Sequence, residues 1–135
     1  MKRRPRRILS IAAACAFVGC NAAAQEPCKL TGIGTADVAT IRDGRTLLLK
    51  DGRELRLAGI EVTDDSRAAL QALAAGQTLR LERLGAERDR YGRVVAFAFV
   101  GDATQSVQQS LLDQGRARVS ARVGDQACAD GLLST

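Results

Sequence analysis

Chemistry in a chain of 135 residues with no histidine and no tryptophan has to come from its cysteines, carboxylates and arginines. The cysteines are Cys15, Cys20, Cys28 and Cys128. With no histidine beside them and no close pair at ligand or redox-motif spacing, zinc and thiol-redox chemistry lack a donor set. Cys28 and Cys128 form instead a disulfide candidate, because an even pair in an oxidising compartment is expected to join. Such a bridge closes a loop of about 100 residues and contributes roughly 4 to 5 kcal/mol in the chain-entropy picture. Among the charged residues, Arg45, Arg56 and Arg93 stand near the acidic Glu61, Asp64, Asp65 and Asp89. Taken as residues alone, Arg56 is the outward member of an alternating strand and Arg93 a solvated loop cation. Asp64 and Asp65 then complement a helix dipole.

The formal charge is +5, with a pI near 9.5, which suggests an acidic partner until the charges are placed. Five of the twenty basic residues (Lys2, Arg3, Arg4, Arg6 and Arg7) fall in residues 1–24, which hold no acid, so the remaining fifteen face fifteen acidic residues. The rest of the chain is neutral, and recognition of a polyanion would depend on local placement. The N-terminus itself reads as a secretory leader: basic start, apolar run from Ile8 to Val18, and small residues Ala22-Ala23-Ala24 before Gln25. That run is too short to span a bilayer. Two processing routes fit, cleavage after Ala24 or lipidation at Cys20 behind Phe17-Val18-Gly19; either exports the protein to the periplasm or beyond. Cleavage after Ala24 removes Cys15 and Cys20 and leaves the Cys28–Cys128 pair.

The elements that must position these side chains are mostly strands. Ile33 to Ile41, Thr46 to Lys50 and Arg53 to Glu61 alternate in polarity and are separated by Asp43-Gly44 and Asp51-Gly52, the signature of an antiparallel meander. Thr63 to Ser66 offers a helix cap ahead of Ala68, Ala69, Leu70, Ala72 and Leu73, with Gly76 as the stop. Thr78 to Leu84 and Arg93 to Val100 read as two more strands around a polar loop, Gly85 to Gly92. The second of them is apolar enough to be buried on both faces. A second helix, Gln105 to Gln114, ends at Gly115. The order βββ-α-ββ-α predicts a mainly β fold: a five-stranded OB-type Greek-key barrel with two short helices, in one domain over residues 25–135.

Four stretches carry a resemblance. Asp43-Gly44-Arg45-Thr46, Leu55-Arg56-Leu57-Ala58-Gly59-Ile60-Glu61, Asp89-Arg90-Tyr91-Gly92-Arg93 and Leu111-Leu112-Asp113-Gln114-Gly115-Arg116-Ala117 occur in the order and approximate spacing of the staphylococcal nuclease (thermonuclease) family, across about residues 33 to 123. The resemblance implies an OB-type barrel that hydrolyses DNA and RNA phosphodiesters with Ca2+. Arg56 and Arg93 match the family's two catalytic arginines, whose forks suit phosphate and the charge that builds on it. Asp64 takes the place of its catalytic glutamate, and Glu61 that of one metal-ligating aspartate.

The departures from the pattern all touch the metal. Arg45 stands where the family has a second aspartate ligand, and a fixed cation at about 4 Å opposes each unit of metal charge by about 4 kcal/mol even at an effective dielectric of about 20. Glu61 keeps its charge but is longer, while Asp64 is shorter by a bond of about 1.5 Å. Asp65 offers a second candidate for the base. Val62 and Thr63 replace a threonine and a proline. Together these changes predict an ion pair of Arg45 with Glu61 and Asp64 in place of calcium, and a three-arginine anion site at Arg45, Arg56 and Arg93. The family's third helix is expected to be truncated, with Leu132 and Leu133 as its first turn.

Three functions therefore compete: a nuclease-like phosphodiesterase with a weakened calcium site, a non-catalytic module binding phosphate or nucleic acid, and an envelope interaction domain. A monomer is expected. Beyond the leader only Tyr91, Phe97 and Phe99 are aromatic, which limits base stacking as a source of strand affinity.

Overall fold

The computed structural model describes residues 29–83 and 88–120. The expected leader with both expected processing sites, Cys28, Cys128 and the end of the chain lie outside them. The elements are β1 (Thr31–Asp43), β2 (Thr46–Leu49), β3 (Glu54–Leu57), β4 (Ile60–Val62), α1 (Ser66–Ala74), β5 (Thr78–Arg83), β6 (Val94–Val100), α2 (Val107–Asp113) and β7 (Ala117–Val119). Five of the strands close a barrel in the order β1-β2-β3-β6-β5. The protein is thus mainly β, an OB-type barrel with two short helices, as the sequence pattern predicts.

Closure depends on β1, which pairs with β5 through its first half and β2 through its second. A strand serving two neighbours has to bend, and the register slips that permit it fall between Gly32 and Gly34, Val38 and Thr40, and Ile41 and Asp43. The slips also explain why the buried positions run Ala36, Val38, Ile41 and not in strict alternation. The meander β1-β2-β3 is antiparallel throughout. β3 then pairs in parallel with β6, and this ladder completes the wall.

Leu47, Leu49, Leu55, Leu57, Leu79, Leu81, Val94 and Ala96 fill the interior with essentially no exposure. Burying each such leucine contributes about 1.5 to 3 kcal/mol. Phe97 and Phe99 are buried as well, so β6 is covered on both faces, as its apolar run predicts. α1 contributes Leu70 and Ala74 from one face, and α2 contributes Val107 and Leu111. Among the described residues no helix is long and apolar enough to cross a membrane.

Three expectations need correction. The strand read as Arg53 to Glu61 is two strands: Gly59, at φ +76°, turns the chain out of the barrel after β3. β4 then pairs with β7, a strand that the periodicity did not reveal because it is three residues long. At α1, Asp65 occupies the N-cap without a side-chain capping bond. Ser66 is fully buried there, its Oγ accepting from the Thr63 amide at 2.8 Å and donating to the Arg116 carbonyl. Its hydroxyl joins the turn before α1 to the start of β7, where a cap would have served the helix alone.

Candidate functional site

Arg56 and Arg93 reach one face of the barrel through the β3–β6 ladder. Arg56 is the register partner of Val95. Arg93 lies two residues before Val95, so the two-residue period of an extended chain puts both arginines on the outer face, opposite the buried Leu55, Leu57, Val94 and Ala96. Arg45 joins them from the β1–β2 turn. Its carbonyl accepts from the Leu57 amide at 2.8 Å, and its own amide donates to Asp43 Oδ1 at 2.9 Å.

The electrostatics express this convergence. Partial burial pushes the Arg56 guanidinium below its ordinary pKa, and the positive charges of Arg45 and Arg93 push it further. Arginine remains charged at any physiological pH, so the consequence is a cluster of cations that Asp89 and Asp43 offset in part, not a neutral side chain. The Arg56 guanidinium makes no hydrogen bond or ion pair among the described residues. It is half-buried and charged, with a cation on either side and Asp89 and Asp43 acting on it from further off.

Arg93, by contrast, is held rigidly. Asp89 Oδ1 accepts from the Tyr91 amide at 2.9 Å and the Arg93 amide at 3.0 Å, and Oδ2 accepts from Arg93 Nε at 2.8 Å. The Asp89 amide donates back to the Arg93 carbonyl at 2.9 Å. Desolvation alone would raise the Asp89 carboxyl; the bonds from Arg93 and Tyr91 outweigh it and hold the pKa below the ordinary carboxylate value. Arg93 also lies 5.2 Å from the centre of the Tyr91 ring, and Arg90 lies 4.8 Å from it. The Asp89-Arg90-Tyr91-Gly92-Arg93 stretch is therefore a built turn that fixes a guanidinium and displays a tyrosine, 67% exposed.

The carboxylates sort differently from expectation. Those that act on Arg56 are Asp89 and Asp43. Glu61 is exposed on β4 opposite Arg118, and Asp64 is exposed in the turn before α1, with no hydrogen bond or ion pair among the described residues. Asp65 pairs with Arg116 at 2.9 Å. The expected ion pair of Arg45 with Glu61 and Asp64 does not form: Arg45 Nη1 donates to the main-chain carbonyl of Ile60 at 3.4 Å. Among the described residues no three acidic, cysteine or histidine side chains gather as metal donors. Arg45 thus places a guanidinium on the carbonyl beside Glu61, and the Ca2+ ligand set that the resemblance implies is not assembled among the described residues.

Two features that support the site were not read from the sequence. Gly44 has a negative φ, so no left-handed turn requires it. A Cβ there would lie 2.5 Å from Ser66 Cβ, and glycine is needed because the β1–β2 turn packs directly on the first residue of α1. Gln108, fully buried on α2, accepts from the Ala98 amide at 3.2 Å and donates to the carbonyls of Ala96 at 2.9 Å and Ala58 at 3.3 Å. It continues the hydrogen bonding where β3 leaves β6 and so fixes the end of the strand that carries Arg56.

No protein-family model matches the chain, and no curated protein matches it. Fold and site together define a class: an OB-type barrel with three arginines gathered on one face, of which Arg93 is paired with Asp89.

Proposed function

We propose that this barrel binds the phosphate of a nucleotide or nucleic acid through Arg45, Arg56 and Arg93. The observation that carries the reading is the Arg56 guanidinium, half-buried between two other cations and without a hydrogen bond or ion pair among the described residues. A partly desolvated charge beside two like charges is unfavourable, and an anion seated there relieves it. A planar fork on the ligand side and a second fork fixed by Asp89 suit the tetrahedral, multiply charged phosphate group. Recognition is local, which agrees with a chain that is neutral outside its leader.

Hydrolysis of the bound phosphodiester is the second reading, supported by the pairing of Arg56 and Arg93 in the family's order. Two guanidinium groups on one phosphate also stabilise the charge that builds during attack. Asp64, by the same resemblance, is the residue to position water.

Single-stranded DNA and RNA oligonucleotides incubated with the protein, with calcium, other divalent ions or chelator, separate the two. Binding that persists in chelator and disappears in Arg56→Gln is the expected result. Cleavage abolished by Asp64→Ala would establish hydrolysis, and failure to bind phosphate under any condition would falsify both readings.

A further inference from the structure

Beside the arginines, on the same barrel face, lies a depression of about 290 Å3 lined by Glu54, Tyr91 and Arg93. Its size is at the lower end of small-ligand sites, enough for one planar heterocycle. Glu54 immediately precedes Leu55 and Arg93 immediately precedes Val94, the first pair of the parallel ladder, so the two stand side by side at the start of it. Yet they do not pair with each other. Arg93 is bound to Asp89, and among the described residues Glu54 meets only Arg42, through Oε2 at 3.4 Å. Arg42 is itself largely exposed, and such surface pairs contribute little. Oε1 of Glu54 has no partner among the described residues.

A carboxylate next to an anion site repels any ligand that does not present N–H donors to it. Glu54 can only accept. Along β3 it lies two residues from Arg56, about 6.6 Å, on the same face. A group held by Glu54 therefore belongs to the same ligand as a phosphate held by Arg56, but to its other end. Of the nucleobases, guanine places two adjacent donors, N1–H and the exocyclic amine, on one edge, which matches both carboxylate oxygens. In adenine and cytosine the amine is flanked by a ring acceptor, and in uracil a single N–H lies between two carbonyls. Tyr91 supplies the aromatic wall; Arg90, exposed and without a hydrogen bond among the described residues, can yield its place over the ring.

We propose that Glu54 selects guanine, accepting its paired N–H donors in the Glu54–Tyr91–Arg93 depression while the phosphate of the same nucleotide rests on Arg56 and Arg93. The inference rests on the phosphate-binding reading above.

Calorimetric titration with the four ribonucleoside 5′-monophosphates and with inorganic phosphate tests it. Binding can be followed in parallel by the fluorescence of Tyr91, the sole tyrosine in a chain without tryptophan. The guanine nucleotide is expected to bind about tenfold or more tightly than the other three, the discrimination of one good bidentate contact. Glu54→Gln should collapse that preference to about twofold and leave inorganic phosphate bound at least as tightly. Tyr91→Leu should weaken all four nucleotides and spare inorganic phosphate. Four nucleotides bound alike, or a preference that survives Glu54→Gln, overturns the role of Glu54 and leaves the phosphate site standing. If inorganic phosphate and all four nucleotides fail to bind, the phosphate reading fails, and this inference with it.

Discussion

Asp89 holds Arg93 at both ends, accepting from its main-chain amide at 3.0 Å and from its Nε at 2.8 Å. One short turn thus decides where a guanidinium stands on the barrel face. Because the carboxylate is stabilised by those donors, its pKa in the folded protein is lower than in the unfolded chain.

The sign of the pH effect follows. A lowered carboxyl contributes stability above its ordinary value of 3.8, and that contribution disappears as pH falls from there through the folded value. Thermal unfolding from about pH 6 down to about pH 3 should show a steeper loss in the native protein than in Asp89→Asn. The difference at neutral pH should be about 1 to 2 kcal/mol. Asp51, lowered by its hydrogen bonds from Arg53, keeps part of the acid sensitivity in both proteins.

Arg56→Gln removes the middle cation of the cluster. In phosphate-free, low-salt buffer its melting temperature should rise above that of the native protein, because a half-buried charge between two like charges is relieved. Phosphate at about 100 times its Kd should stabilise the native protein by about 2.7 kcal/mol and leave the variant unchanged. Melting curves with and without phosphate read both effects; a variant less stable than the native protein in phosphate-free buffer would contradict the cluster.

Gly44→Ala puts a methyl group 2.5 Å from Ser66 Cβ, well inside van der Waals contact. The β1–β2 turn and α1 must separate, at a cost of about 1 to 3 kcal/mol. Since Arg45 is the next residue, phosphate affinity should fall with stability. Denaturant unfolding combined with phosphate titration checks this, and a variant with native stability would exclude the close approach.

Gln108→Leu keeps the volume but leaves the Ala98 amide without its acceptor. A loss of about 1 to 3 kcal/mol is expected by denaturant unfolding. Gln108→Glu should be worse at neutral pH and recover in acid. A buried glutamate has a raised pKa, so its protonated form is tolerated below the unfolded value and stability declines as pH rises past it.

Much of the scaffold was legible. Asp51-Gly52 marked its turn, alternation in β2 and β3 placed the leucines inside, and the apolar run of β6 announced burial on both faces. Gly59 was visible but read as part of a strand, because one glycine among alternating residues signals a bulge, a bend or an exit equally. Gln108 carried no signal, since a polar residue on a short helix reads as solvated until its neighbours are known.

By itself the sequence determined which groups are available: arginines at positions 45, 56 and 93, no histidine, a single tyrosine, and strands short enough to form a small barrel. It also determined which side of β3 Arg56 occupies, because the two-residue period of an extended chain is a local property. That Arg56 meets Arg93 is decided only by the parallel pairing of β3 with β6, a contact between segments far apart in the chain. That Arg45 rests on the Ile60 carbonyl and not on a carboxylate is decided by where Gly59 turns the chain out of the barrel. Both depend on long-range closure, and local periodicity holds no record of it.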